Sequence, residues 1–302
     1  MKISFLLLFL SLSFTGYSQT ADLHLKMGIA KAKKQDYKGA ILEFNKALVT
    51  NPASAEAYYR RGGAKYNLQD NPGALADFNQ AITLNPAYVE AFVFRAVTKN
   101  DMKDFAGAIA DYDFVIKTKP NDGDSYAKRG SAKFDSKDFA GALADFNSAI
   151  TINPNSDALY VNRGDAKNGL KDYTGAMADF NKAIAMNPKN TDAFNGRGLS
   201  KYYMKDCQGA IADYNFVIEN DTDNVITYFN RALAKSVLLD YRGAITDFDK
   251  TIALNPKMAN AYMLRGDTKL IIKDKDGACL DWSKAGELGM QAAYDKIKKN
   301  CN

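Results

Sequence analysis

Residues Ala55–Pro86 read AEAYYRRGGAKYNLQDNPGALADFNQAITLNP, and this stretch decides how the rest of the chain is read. It holds two short amphipathic segments joined by a turn. In the first, Tyr58, Gly62 and Tyr66 fall four apart, one stripe of a helix. The second runs from Asp70 to about Leu84, where Asn85-Pro86 stops it, because proline lacks an N–H and restricts the residue before it. Working outward, these features return every 34 residues. Gly62 recurs as Gly28, Ala96, Gly130, Gly164, Gly198, Ala232 and Gly266. Ala74 recurs as Ala40, Ala108, Ala142, Ala176, Ala210, Ala244 and Ala278. Phe78 recurs as Phe44, Tyr112, Phe146, Phe180, Tyr214, Phe248 and Trp282, and Pro86 as Pro52, Pro120, Pro154, Pro188 and Pro256. A fixed period of this length is the signature of a solenoid.

An aspartate heads every second helix: Asp36, Asp70, Asp104, Asp138, Asp172, Asp206, Asp240 and Asp274. A carboxylate there accepts hydrogen bonds from the unpaired first-turn N–H groups and suits the helix dipole. A glycine follows three residues later, Gly39 in the first unit and Gly277 in the last. No Lys-Ser/Thr accompanies it as in a phosphate-cradling loop, so it is read as a packing position. Seven units pair an arginine with an aspartate 16 residues on: Arg61 with Asp77, Arg95 with Asp111, Arg129 with Asp145, Arg163 with Asp179, Arg197 with Asp213, Arg231 with Asp247 and Arg265 with Asp281. In the first unit both change together, to Met27 and Glu43. A lysine four residues after each arginine shares its helix face. Matched carboxylates favour a repeated internal ion pair over a basic ladder for an acidic ligand.

With these residues the chain resembles the tetratricopeptide repeat family. The family places an aromatic at the fourth residue of the unit, small residues at the eighth and twenty-seventh, Ala at the twentieth, an aromatic at the twenty-fourth and Pro at the thirty-second. Here the fourth position holds Tyr58, Phe92, Tyr126, Tyr160, Phe194, Tyr228 and Tyr262, with His24 the exception. The twenty-seventh holds Ala47, Ala81, Val115, Ala149, Ala183, Val217, Thr251 and Ala285. The resemblance covers about Ala21 to Ala285. It implies an all-α, right-handed superhelical solenoid of eight 34-residue helix-turn-helix units, at 21–54, 55–88, 89–122, 123–156, 157–190, 191–224, 225–258 and 259–289. Residues 290–300 read as a capping helix, with Ala292, Ala293 and Ile297 as its apolar stripe and its lysines outside.

The resemblance also implies protein binding in a concave groove, lined by the second, fifth, ninth, twelfth and thirteenth residues of the first helices. There this chain has Tyr59, Tyr66, Asn100, Asp101, Phe134, Asp135, Asp165 and Asn168, then Asn195, Leu199, Tyr202, Tyr203, Phe229 and Leu233. The family's carboxylate-gripping set, Lys at the fifth residue with Asn at the ninth, is absent. The expected partner is a peptide or helix of another protein bearing basic and apolar side chains. The alternative is a structural subunit of an envelope assembly, binding through its convex face or ends. Phe114 and Phe216, where other units carry Lys, Gln or Ser, either pack beside Val115 and Val217 or form two outer contact points.

Met1–Ser18 differs from everything after it: Lys2, an apolar run over Ile3–Phe14, then Gly16-Tyr17-Ser18. This reads as a secretory signal cut before Gln19, too short to span a bilayer. The expected product is one exported domain over 19–302, periplasmic or secreted and monomeric alone. A net charge of +5 with acidic and basic residues interleaved lacks the dense basic stripe of a nucleic-acid binder. No nucleophile, phosphate-loop or metal-ligand spacing occurs, so no enzyme, cofactor or metal is expected. The one histidine, His24, holds an aromatic core position. Cys279 opens the last repeat helix and Cys301 closes the final one. If those helices run antiparallel, the two thiols meet and oxidise in an exporting compartment, leaving Cys207 reduced.

Overall fold

The structure, a computed structural model, describes residues 19–301; the leader reading at 1–18 lies outside them. Among the described residues there are 17 helices and no strand. They divide into two compact units, one ending at Ile152 and the other starting at Asn153. The first contains α1 (19–33), α2 (Tyr37–Thr50), α3 (Ala55–Asn67), α4 (Asn71–Leu84), α5 (Val89–Asp101), α6 (Phe105–Thr118), α7 (Gly123–Asp135) and α8 (Phe139–Ile152). The second contains α9 (Asp157–Gly169), α10 (Tyr173–Met186), α11 (Thr191–Tyr203), α12 (Cys207–Asn220), α13 (Val225–Val237), α14 (Tyr241–Leu254), α15 (Ala259–Ile271), α16 (Lys275–Glu287) and α17 (Ala292–Asn300). Within each unit every helix packs on the next, the stacking of a solenoid.

The turn inside each repeat depends on one aspartate. Asp70 donates its N–H to the Lys65 carbonyl at 3.0 Å, closing α3 in a Schellman-type turn. Its carboxylate accepts the Gly73 N–H at 3.0 Å and caps α4. The same side-chain bond forms from Gly39, Gly107, Gly141, Gly175, Gly209, Gly243 and Gly277. A Cβ on any of these glycines would overlap the capping carboxylate, so the glycine makes room for its own cap. The residue before each aspartate has left-handed backbone, φ 62° to 70°, and is never glycine: Gln35, Gln69, Lys103, Lys137, Lys171, Lys205, Leu239 and Lys273.

The core of each unit is built on buried rings. Phe44, Phe78, Phe146, Phe180, Tyr214, Phe248 and Trp282 are at most 1 % exposed, and each buried ring stabilises by about 2–3 kcal/mol. A Cβ at Gly62 would lie 2.8 Å from the Phe78 ring, which is why the eighth position stays small. Where the sixth repeat has Thr222 for proline, Asp221 accepts the Asp223 N–H at 3.2 Å. Asn51, Asn85, Asn187 and Asn255 make the equivalent bond elsewhere, and α12 ends like its counterparts.

The final helix begins at Ala292, two residues later than the sequence suggests, and its stripe is rotated. Ala293 is buried and Ile297 partly so, but Ala292 is exposed. Lys296, read as an outside residue, turns inward to bond Asp267 at 2.6 Å and lies 5.8 Å from the centroid of the Trp282 ring. The Trp282 indole N–H donates to the same carboxylate at 3.0 Å. One Asp267 oxygen thus joins the last repeat to its cap. Cys279 and Cys301 are linked by a disulfide, with Cα atoms 5.9 Å apart.

Candidate functional site

The polar framework comes first, because it decides which charges remain free. Each arginine of the repeated pair grips its aspartate with two hydrogen bonds. In the second repeat Arg61 Nε donates to Asp77 Oδ2 at 2.8 Å and Nη2 to Oδ1 at 2.6 Å. Lys65 Nζ lies 2.8 Å from Asp77 Oδ2 and also reaches the Gly73 carbonyl. The guanidinium sits 5.3 Å from the Tyr58 ring centroid, a cation–π contact. Its Nη1 donates backward to Asn45 of the preceding repeat. The same backward bond joins Arg95 to Asn79, Arg129 to Asp113, Arg197 to Asn181, Arg231 to Asn215 and Arg265 to Asp249. These cations are internal fasteners and not a ladder for an acidic ligand.

The first repeat does the same job differently. With Met27 in the arginine position, His24 Nδ1 lies 2.8 Å from Glu43 Oε2 and Lys31 bonds Oε1 at 2.9 Å. Hydrogen bonds from Lys31 and then His24 hold the Glu43 carboxyl down to about 2. His24 is therefore a partner of a buried carboxylate as well as a packed residue.

Most of the side chains expected to line the groove are partly covered, some by their own repeat and some by a neighbouring one. Tyr59 lies between Tyr88 and Phe94, with ring centroids 4.9 and 5.6 Å away. Tyr66 donates to Asp101 at 2.7 Å, and that bond raises its pKa to about 12. The Asn100 side-chain oxygen is buried without a partner, while the Asp101 and Asp135 side chains are exposed. Phe134 meets Phe139 edge-on at 5.3 Å. A pocket of about 160 Å³ opens on this face, lined by Ala32, Tyr37, Tyr59, Arg60, Gly63, Ala64, Asn67 and Phe94.

In the second unit Asn168 accepts from Ser200 Oγ at 2.8 Å and donates to the Gly196 carbonyl, and Asn195 accepts from Thr227. Tyr202 packs on the cluster around Cys207 and Tyr214, and Phe229 and Leu233 pack on the Phe248 cluster. Leu199 is partly buried on α11, and Tyr203, half exposed, stacks on Tyr173 at 5.0 Å. Asp165 is partly buried and makes no hydrogen bond among the described residues. Burial, and after it the charge of Asp192, pushes its carboxyl up to about 7. Phe114 and Phe216 stack on Phe92 and Phe194 at 3.9 Å, and Arg95 and Arg197 lie over those same rings. Cys207 is free and buried.

Models of the tetratricopeptide repeat match residues 25–89 and 101–157, and a second such model matches 158–190, together more than half the chain. The chain is a member of the tetratricopeptide repeat family. No curated protein matches it significantly. Among solved structures it is similar to one titled as the anaphase-promoting complex hetero-tetramer Cut9–Hcn1, with 14 % identity and a TM-score of 0.68 over 88 % of this chain and 53 % of the other. A similar likeness holds to yeast Tom70, with 18 % identity and a TM-score of 0.60 over 93 % and 64 %. The C-terminal part of a tetratricopeptide-containing protein from Cytophaga hutchinsonii shares 19 % identity, with a TM-score of 0.60 over 78 % and 97 %. The chain thus spans about half to two thirds of the first two, and likeness at this identity carries the fold alone.

Sequence reasoning passed over three features of this repeat array. The backward arginine bond was signalled by Asn or Asp at the twenty-fifth position of successive repeats. The lysine's share in the same carboxylate needed only its spacing of 12 from the aspartate. Asp165 was named for its position alone, and its burial carried no signal, since a ninth-position residue is exposed or covered according to what stands opposite.

Proposed function

We propose that this tetratricopeptide protein is an exported scaffold that receives a segment of another protein on the surface of its first helices. The observation that carries the reading is the pocket lined from α1, α2, α3 and α5. Tyr37, Tyr59 and Phe94 give it an apolar wall, and its size suits one anchoring side chain. The exposed carboxylates of Asp101 and Asp135 favour a segment whose other side chains are basic. Export is supported by the apolar leader over Ile3–Phe14 and by a disulfide, a bond that persists in oxidising compartments. The convex-face alternative is weakened because Phe114 and Phe216 spend one face on internal stacks.

Photo-crosslinking residues placed singly at Asp101, Asp135, Ala110 and Ala144 distinguish the two in the native envelope. Ala110 and Ala144 are exposed on the second helices α6 and α8. Capture of one partner segment from the two aspartate positions is the expected result. Capture from the two alanine positions alone would overturn the groove assignment.

A further inference from the structure

The outer side of α1 is a second surface, separate from the pocket lined by Tyr59 and Phe94. In every later repeat the third and tenth residues of the first helix are buried. In the second repeat they are Ala57, packed on Ala47 and Leu48 of α2, and Ala64, packed on Ala40 and Phe44 of the same helix. The seventh residue, Arg61, reaches α2 as well, through its bond to Asn45. In the first repeat no earlier second helix meets these positions among the described residues. Leu23 and Met27 stand 55 % and 39 % exposed, and Ala30 is exposed with them. Lys34 continues the stripe, since spacings of four, three and four keep all of these on one face of α1. The last repeat is treated differently: α17 covers it, with Ala293 buried in the cluster of Trp282 and Ala285. A solenoid's terminal face stays soluble when it is polar or covered, and Leu23 and Met27 make this one neither.

Charge bears on what meets the face. The first repeat, 21–54, has six lysines, Lys26, Lys31, Lys33, Lys34, Lys38 and Lys46, against Asp22, Asp36 and Glu43, an excess that no other repeat matches. Its carboxylates stay anionic but are engaged: Asp22 with Lys26 at 2.6 Å, Asp36 with the Gly39 N–H, and buried Glu43 with Lys31 and His24. Lys33 and Lys34 make no ion pair among the described residues. Lys26 and Lys33 border the stripe, each one residue before a member of it.

We propose that this face docks a helix of another protein, apolar along one stripe and acidic along its borders. It lies antiparallel to α1, where the second helix of a preceding repeat would lie. Its apolar side chains meet Leu23 and Met27, the unbranched methionine adapting to their shape, and its carboxylates meet the lysines. A second copy fits less well. Two α1 faces laid together would set Lys33 and Lys34 against their own kind. The last repeat is covered by α17, and it has Ser283 where every other repeat has the Asn or Asp that accepts a backward bond. This face does not depend on the partner segment proposed above.

Two synthetic helical peptides serve as probes, each with leucines along one face and, at the remaining positions, glutamate in one and lysine in the other. Fluorescence anisotropy with purified protein is expected to show binding of the glutamate peptide alone, weakening as salt rises. Leu23→Ser/Met27→Ser weakens it about tenfold or more. Lys33→Gln/Lys34→Gln weakens it about fivefold. Both variants change exposed side chains, and helicity and melting temperature are retained. The proposal is overturned if the glutamate peptide does not bind, if the two peptides bind alike, or if either variant binds as wild type does. It is also overturned if wild type forms a dimer that Leu23→Ser/Met27→Ser dissolves, since the face is then a self-interface.

Discussion

Replacing Arg231 by methionine removes one guanidinium and keeps a side chain of similar length on α13. Asp247, 2 % exposed, loses bonds of 2.9 and 2.6 Å, and Asn215 of the preceding repeat loses its 2.6 Å donor. Stripping one partner from a buried pair costs about 3–5 kcal/mol. Lys235, still 2.8 Å from Asp247 Oδ2, keeps the carboxylate compensated and holds the loss near the lower end. The bond to Asn215 and the guanidinium's place over the Tyr228 ring add about 1 kcal/mol between them. A loss of about 3–4 kcal/mol is expected. Asp247→Leu alone should cost as much, because it strands Arg231 and Lys235 together. The double variant Arg231→Met/Asp247→Leu removes both charges of the grip and should recover about half of the summed loss. Urea unfolding followed by helical circular dichroism measures all four corners of this cycle. Additive single effects would show that the two side chains do not act on each other, and the reasoning would fail.

Asp165 gives a pH signature with a definite sign. Its carboxyl titrates near 7 in the folded protein and near 3.8 when unfolded, so stability is greatest below about 4 and falls as pH rises through about 7. Asp165→Asn should flatten that slope and raise stability at pH 8 by about 2 kcal/mol, half the full linkage value because the group is only partly buried; an unchanged thermal melting profile between pH 5 and pH 8 counts against it. The disulfide closes a loop of sequence separation 22, worth about 3 kcal/mol in the chain-entropy model. Cys279→Ser/Cys301→Ser should lose that amount, with hydrogen exchange rising in α16 and α17 and unchanged in α2 to α8; uniform exchange everywhere would contradict a local role.

The helix pairs and their phase were legible because each repeat buries the same few residues, and a period of 34 repeats that demand along the chain. The Arg–Asp pair was legible too: residues that change together at a spacing of 16, as Met27 with Glu43, must share a physical constraint. The binding surface was less so. Tyr202, Phe229 and Leu233 were expected along an open groove, yet each leans on a cluster that includes residues of another helix. Whether a ninth- or twelfth-position side chain meets water or the next helix depends on what stands opposite, as the small Gly196 shows by accepting from Asn168. The stacking of Phe114 was hidden for the same reason, since it requires knowing that Phe92 presents a free ring face.

The backward reach of the arginines has a consequence for how such a chain is built. In the first unit Arg61 finds Asn45, Arg95 finds Asn79 and Arg129 finds Asp113, always through the same two positions. The joint is standard, so its two halves need not come from neighbours in the gene. Excision of residues 89–122 would present Asn79 to Arg129 and rebuild the coupling that was cut. Repeat number is thereby uncoupled from the chemistry that joins repeats. The near-identical Met102–Ile116 and Met204–Ile218, three repeats apart, are the kind of trace that duplication through such a joint leaves behind.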